Sequence, residues 1–334
     1  MNILKNSSLY KLNSFGVKHK SKYLIKIKRK DDLPLILDNK DLLNEKKIIV
    51  GGGSNILFTK DFNGIVLLNK ILGINKIDEG KDFVKIRVGS GEDWDKFVSY
   101  CVDNNYYGIE NLSLIPGSVG AAPIQNIGAY GVEIKDFIDN VQGYDLEEKK
   151  EKIYSRELCR FEYRNSIFKK KKKNKFFITH VEFILNKKPN YILTYKDLNN
   201  LNQDKISLKS LRNKVIEIRN SKLPNPDKLG NAGSFFKNPI IKLSLFDSIK
   251  SEYDDISGHK IGENNIKLSA AWLIEKCGWK GKVLDKIGVY KKHALVLVNY
   301  GEESGNKIKK LSEEISKSVE KKFNIKLEEE VNVI

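Results

Sequence analysis

From Ile109 to Ile134 the chain reads IENLSLIPGSVGAAPIQNIGAYGVEI, with no charged residue between Glu110 and Glu133, although 31% of its 334 residues are Asp, Glu, Lys or Arg. Ordinary surface loops are not built this way. Small residues let the backbone approach another group closely, and peptide N–H groups then become the available donors. A second cluster, Gly51-Gly52-Gly53 followed by Ser54 and Asn55, comes after the apolar run KIIV. Together with Pro116-Gly117-Ser118-Val119-Gly120 it forms a pair of elements able to offer consecutive amides to a pyrophosphate, although each alone also suits a tight turn. Neither a Gly-x-x-x-x-Gly-Lys-Ser/Thr loop nor a Gly-x-Gly-x-x-Gly between strand and helix occurs, which excludes a P-loop and a Rossmann site.

Around these elements the hydrophobic pattern is mixed. Short apolar runs (YLIKIK, KIIVGGG, GIVLLN) up to about residue 72 read as strands, as does FVKIRV at 83–88. Trp94, Phe97, Val98, Cys101 and Val102 recur at i, i+3, i+4, i+7 and i+8, the spacing of one helix face. Further helices are predicted from about 204 to 218, over AAWLIEKCG, and from Gly305 to Phe323; HALVLVN and the terminal LEEEVNVI read as strands. Strands and helices do not alternate regularly, so the fold class is α+β. The Pro- and Gly-rich tract 221–239 reads as an extended active loop or domain junction.

The net charge of +17 raises the possibility of nucleic acid, but the lysines are scattered and no RNA-binding aromatic motif or zinc finger accompanies them. Their dense run, Lys169 to Lys173, reads as a solvated hairpin tip, with positive potential left to steer anionic nucleotides. Three isolated cysteines and four distant histidines form no metal-ligand spacing, so no metal is expected. No apolar run reaches membrane-spanning length and the amino terminus lacks signal-peptide character, which points to an unexported, cytoplasmic protein without membrane or nucleic-acid partners.

GGGSNILF, GSGEDW and the 109–134 tract, in this order, resemble the flavin-binding half of the UDP-N-acetylenolpyruvoylglucosamine reductases, a family with the vanillyl-alcohol-oxidase-type FAD-binding fold and a separate substrate-binding domain. FEYRNSIFK (161–169), LTYKDL (193–198), SKLPNPDKLGNAGSFFKNP (221–239), AAWLIEKCGWKG (270–281), HALVLVN (293–299) and LEEEV (327–331) follow in the family's order and extend the resemblance to nearly the whole chain. It implies FAD as cofactor, NADPH as hydride donor, UDP-N-acetylglucosamine enolpyruvate as substrate, and a monomer. The implied domains are 1–72 with 325–334, then 73–222, which sandwich FAD, and a substrate domain from 223 to 324. Closure would bring Ser234 to the flavin.

By the same resemblance Ser234 is the proton donor to the substrate, while Arg164 and Glu330 stabilise the developing enolate. Tyr195, Lys222, Asn238 and His293 grip the nucleotide, and Tyr195 marks the subtype with an extra tyrosine-bearing loop. The implied FAD neighbours are Gly51, Gly52, Gly53, Ser54, Asn55, Pro116, Gly117, Ser118, Gly120, Gln125, Gly128, Ala129, Tyr130 and Arg219. His293 and Asn332 depart from the family, which often has an amide and an arginine there. Two alternatives stand beside this reading: another FAD oxidoreductase of the same fold, and a basic nucleic-acid-binding protein.

Overall fold

Period-two alternation decides the larger part of the structure. In the strands Phe83–Gly89 and Phe176–Asn186 the pairs Val84–Leu185, Ile86–Phe183 and Val88–Val181 are in register and buried, while Arg87 and Glu182 pair on the opposite face. The computed structural model describes residues 2–202 and 205–334, which divide into two compact units, one of residues 2–7, 21–53 and 63–221, the other of 8–20, 54–62 and 222–334.

The first unit holds two sheets. A four-stranded sheet in the order Ile3–Ser8, Lys20–Ile27, Phe62–Asn69, Lys47–Val50 packs Ile25, Ile27, Ile65 and Leu67 against Leu33, Ile36 and Leu37 of helix α1 (Asp32–Leu37). A five-stranded antiparallel sheet runs Lys150–Ser155, Ile138–Asp145, Phe176–Asn186, Phe83–Gly89, Ile74–Glu79. Helix α2 (Trp94–Asp103) starts at Asp93, whose carboxylate accepts from the Lys96 amide at 2.9 Å. Its predicted face is the buried one, and the Phe97 ring lies 4.9 Å from that of Phe183. Burying that ring is worth about 2–3 kcal/mol. Helix α3 (Leu208–Lys222) buries Leu208, Leu211, Val215 and Ile218; the predicted start near 204 lies outside the described residues.

In the second unit, helix α4 (Leu243–Glu252) accompanies a three-stranded sheet of Ile240–Lys242, Asn265–Leu268 and Gly258–Ile261. Helix α5 (Ala270–Lys276) is capped by Ser269, and helix α6 (Gly305–Phe323) turns Ile308, Leu311, Ile315 and Val319 inward as predicted. Of the terminal LEEEVNVI only Asn332–Val333 is regular strand, and it pairs in parallel with Ile56–Leu57. HALVLVN is buried but contributes only Leu297–Asn299 as strand. Among the described residues no helix is long and apolar enough to cross a membrane.

Most of the lysine run lies in an exposed turn as expected, with Lys170, Lys171 and Lys173 exposed, but one member differs. Lys172 is not at a solvated tip: its ammonium lies 2.7 Å from the carboxylate of Asp145, which is fully buried and also accepts the Glu147 and Glu148 amides at 3.1 Å each. Burial pushes this carboxyl up, but Lys172 and the two amides outweigh it and hold it down at about 2. Because the folded carboxyl titrates below its ordinary 3.8, its stabilisation is complete above that value and disappears as pH falls through about 2. Asp145→Asn is therefore expected to cost about 2 kcal/mol at neutral pH. Urea unfolding across pH should show the gap to wild type closing only in strong acid, and a gap constant with pH would contradict the assignment.

Candidate functional site

The two glycine loops, distant in sequence, meet in the first unit. A Cβ on Gly52 would lie 3.0 Å from the Gly117 Cα and 3.2 Å from its carbonyl carbon, so the two backbones touch without room for a side chain. The second loop is fastened to the start of α2: Trp94 N–H donates to the Gly117 carbonyl at 3.0 Å, and the Val119 and Gly120 N–H groups donate to the Glu92 and Ser90 carbonyls at 2.9 Å each. Those last two amides are thus committed within the protein, and Gly120 serves close packing on Ser90. The chain leaves the first unit immediately after Gly53; Ser54 and Asn55 belong to the second.

Beyond Gly120 the uncharged tract is stitched to the turn that carries Arg164. Glu162 and Asn165 close that turn through mutual backbone bonds of 3.0 and 3.1 Å, and Arg164 itself adopts φ +52°. Its Nη2 donates to the Gly128 carbonyl at 2.6 Å, while Ser166 Oγ donates to the Ile124 carbonyl at 2.7 Å. Asn126, fully buried, uses its amide nitrogen on both Glu133 Oε2 and the Glu162 carbonyl at 3.1 Å. Gln125 sits inside this stitched turn, and Gly128 and Ala129 pair with Val132 and Glu133.

Tyr130 closes the tract. Its ring stands edge-on to Tyr195 with centroids 5.2 Å apart, and its hydroxyl is within hydrogen-bonding reach of Arg219 on α3. Burial pushes the Tyr130 hydroxyl up and the Arg219 guanidinium down from their ordinary values. Arg219 Nε is buried with no acceptor. Asn111, a residue the sequence reading passed over, donates from its side-chain amide to the Tyr130 and Ile192 carbonyls at 2.8 Å each. It thereby ties the Tyr195-bearing segment to the glycine-rich tract.

In the second unit Ser234 and Glu330 flank one buried residue, Phe235. The Phe235 N–H donates to the Leu295 carbonyl and its carbonyl accepts the Glu330 N–H, both at 2.8 Å, while Ser234 bridges to Val296. His293 is drawn into the same web, its Nδ1 accepting the Leu295 N–H at 3.3 Å. That bond leaves Nε2 as the protonated nitrogen of the neutral ring. Burial, then Lys222 and Lys280, hold His293 below its ordinary value. Asn238 Oδ1 accepts the Ala270 N–H at the start of α5 at 2.9 Å. The three terminal glutamates differ: Glu328 is exposed, Glu329 meets Lys309 and Ser312, and Glu330 is half-buried with its carbonyl accepting from Asn55 Nδ2 at 3.3 Å. Asn332, where the family often has arginine, donates to the Asn55 carbonyl instead.

Within each unit, then, the structure brings the two loops, Arg164, Tyr130, Tyr195 and Arg219 into one, and Ser234, Glu330, His293, Lys222 and Asn238 into the other. A diphosphate fits the first group: a side-chain-free glycine rim, an uncharged tract and a buried guanidinium nitrogen lacking an acceptor suit an anion approaching backbone. Among the described residues no three His, Cys, Asp or Glu side chains gather as a metal would require. Asn111 and Asn126 were missed because a lone Asn in a sequence carries no periodic or spacing signal.

Two family profiles match the chain: an FAD binding domain over residues 22–154, and the C-terminal domain of UDP-N-acetylenolpyruvoylglucosamine reductase over 225–334. The UDP-N-acetylenolpyruvoylglucosamine reductase of Flavobacterium johnsoniae is 45% identical over 100% of both chains, and that of Porphyromonas gingivalis 42% over 100% of both. The crystal structure of the reductase from Thermus caldophilus superposes with a TM-score of 0.67 over 99% of this chain and 98% of that one, at 20% identity. The fold is therefore the vanillyl-alcohol-oxidase-type FAD-binding fold with a separate substrate domain. Gly52→Ala, which forces the touching backbones apart, is expected to raise the FAD dissociation constant at least tenfold while far-ultraviolet dichroism stays native. Unchanged FAD titration of that variant would show that the contact is mere packing.

Proposed function

Since the chain belongs to the UDP-N-acetylenolpyruvoylglucosamine reductase family, we propose a role in its reaction for each candidate residue. The protein is an FAD-dependent oxidoreductase that reduces the enolpyruvyl ether of UDP-N-acetylglucosamine to UDP-N-acetylmuramate for peptidoglycan synthesis, with NADPH as hydride donor. The observation that carries the cofactor assignment to particular residues is the backbone contact of Gly52 with Gly117.

When bound, FAD supplies the hydride, passed on from NADPH to the enolpyruvyl carbon. Gly51–Gly53 and Pro116–Ser118 would hold its diphosphate against backbone and Arg219 would supply charge to it, with Tyr130, Ser54, Asn55, Gln125, Gly128 and Ala129 completing the surround. Addition of hydride leaves negative charge on the neighbouring carbon and the substrate carboxylate. Arg164, whose guanidinium is held by the Gly128 carbonyl, stabilises that charge, and Glu330 shares a proton with it. Ser234 delivers the proton to the carbon, and the carbanionic centre is basic enough to take it from a hydroxyl. Fixing Ser234 and Glu330 on either side of Phe235 sets their separation before substrate arrives.

Lys222 and the Nε2–H of His293 meet the substrate's diphosphate, with Asn238 and Tyr195 completing the grip; Tyr195 belongs to the extra loop that defines the subtype. We take the chain to act as a cytoplasmic monomer, divided functionally into 1–72 with 325–334, 73–222 and 223–324. In an anaerobic cell, NADPH should bleach the bound flavin and the UDP-enolpyruvyl sugar should restore its colour; flavin that stays reduced after the sugar is added would sink the substrate assignment. Glu330→Gln should leave bleaching by NADPH near wild type and slow the return of colour at least a hundredfold. Equal slowing of both half-reactions would remove Glu330 from the second step.

A further inference from the structure

Two arginines project from one edge of α3, Arg212 and Arg219, seven residues or about two turns apart. Their surroundings differ sharply. Arg212 makes a two-pronged pair with Asp95 of α2, Nη1 to Oδ1 at 2.8 Å and Nη2 to Oδ2 at 2.9 Å, and its side chain is 11% exposed. Arg219 is buried with Nε lacking an acceptor. One buried guanidinium is paired at both prongs with a carboxylate, while the other has Tyr130 within reach and feels the Asp95 charge but keeps its Nε without an acceptor. A buried cation with an unused donor gains from an anionic ligand.

Asp95 has a second task. Its Oδ1 also accepts the N–H of Leu114 at 2.5 Å. Leu114 adopts φ +58°, a left-handed conformation costing a leucine on the order of 1 kcal/mol or more, and it lies just ahead of Pro116 and Gly117. One carboxylate therefore holds the strained entry to the second glycine loop and, through Arg212, the helix that carries Arg219. Burial pushes this carboxyl up, but Arg212 and the Leu114 amide prevail and keep it below its ordinary value, charged throughout the neutral range.

We propose that Asp95, acting through Leu114 and Arg212, is a positioning residue for the flavin: it sets the distance between the Pro116–Ser118 turn and Arg219 so that both reach the same diphosphate. The proposal rests on the FAD reading above. Asp95→Asn keeps the shape and one acceptor for Leu114 but turns an N–H group toward Arg212.

FAD titration of cofactor-free protein by flavin fluorescence, at a temperature where each variant is folded, tests it. Wild type should bind; Asp95→Asn should bind at least tenfold more weakly. In an Arg219→Met background the same change should cost less than threefold, because the clamp acts on a group no longer present. A purely structural Asp95 would lower the unfolding temperature yet leave the FAD dissociation constant unmoved, or its effect would multiply with that of Arg219→Met; either result overturns the proposal. If Asp95→Asn does not fold, Arg212→Gln cuts the clamp from the other end, and wild-type FAD affinity there is equally fatal. Wild-type protein that takes up no FAD would instead bring down the cofactor reading itself, and the clamp with it.

Discussion

The contact of the Gly52 and Gly117 backbones is the constraint to which the first unit is built. It leaves no room for a side chain at Gly52, where Gly117 opposite adopts φ +134°, and requires the loop 117–120 to be held firmly from behind, which the start of α2 does through the carbonyls of Ser90 and Glu92 and the N–H of Trp94. That anchoring depends in turn on α2 being seated, and Phe97 against Phe183 seats it on the five-stranded sheet. The apolar alternation of the strands therefore reaches the loop 117–120 through only two steps of packing. A shift of the sheet by one residue would expose Val84, Ile86 and Val88 and unseat the loop together with the helix.

The second unit solves a different problem with the backbone alone. Ser234 and Glu330 are far apart in the chain, yet both N–H and C=O of Phe235 are used to hold their segments, and the Phe235 side chain is buried beneath them. Because the restraint lies in peptide groups, substitution at either neighbouring side chain leaves the spacing intact. Functional side chains on such a frame can be exchanged without rebuilding it.

Much of this was legible in the chain before any coordinates. Helix α6 runs from Gly305 to Phe323 as its periodicity requires, α2 buries the predicted five residues, and the two glycine loops do come together. Long motifs such as IPGSVGAAPIQNIGAYG made the family recognisable. What was not legible depended on partners remote in sequence. Nothing around Asp145 announces that Lys172 will neutralise it, so the lysine run read as solvent-facing charge. Asp95, Asn111 and Asn126 are single polar residues whose importance comes from which distant carbonyl or amide they meet. LEEEVNVI read as one strand, but its backbone bonds are divided between two partners: Glu328 and Glu330 bond Lys237 and Phe235, whereas Asn332 and Ile334 bond Asn55 and Leu57.

The parallel pairing of Asn332–Val333 with Ile56–Leu57 joins positions far apart in the chain: Thr59 Oγ1 donates to the Ile334 carbonyl across a separation of 275 residues. During translation, the 54–62 segment leaves the ribosome long before its partner has been made. Closing so long a loop is entropically slow, and the early segment carries Leu57 and Phe58, both fully buried in the finished fold. Residues 56 and 57 therefore wait for their strand partner until the last residues are made, and this pairing is among the last contacts that the growing chain can close.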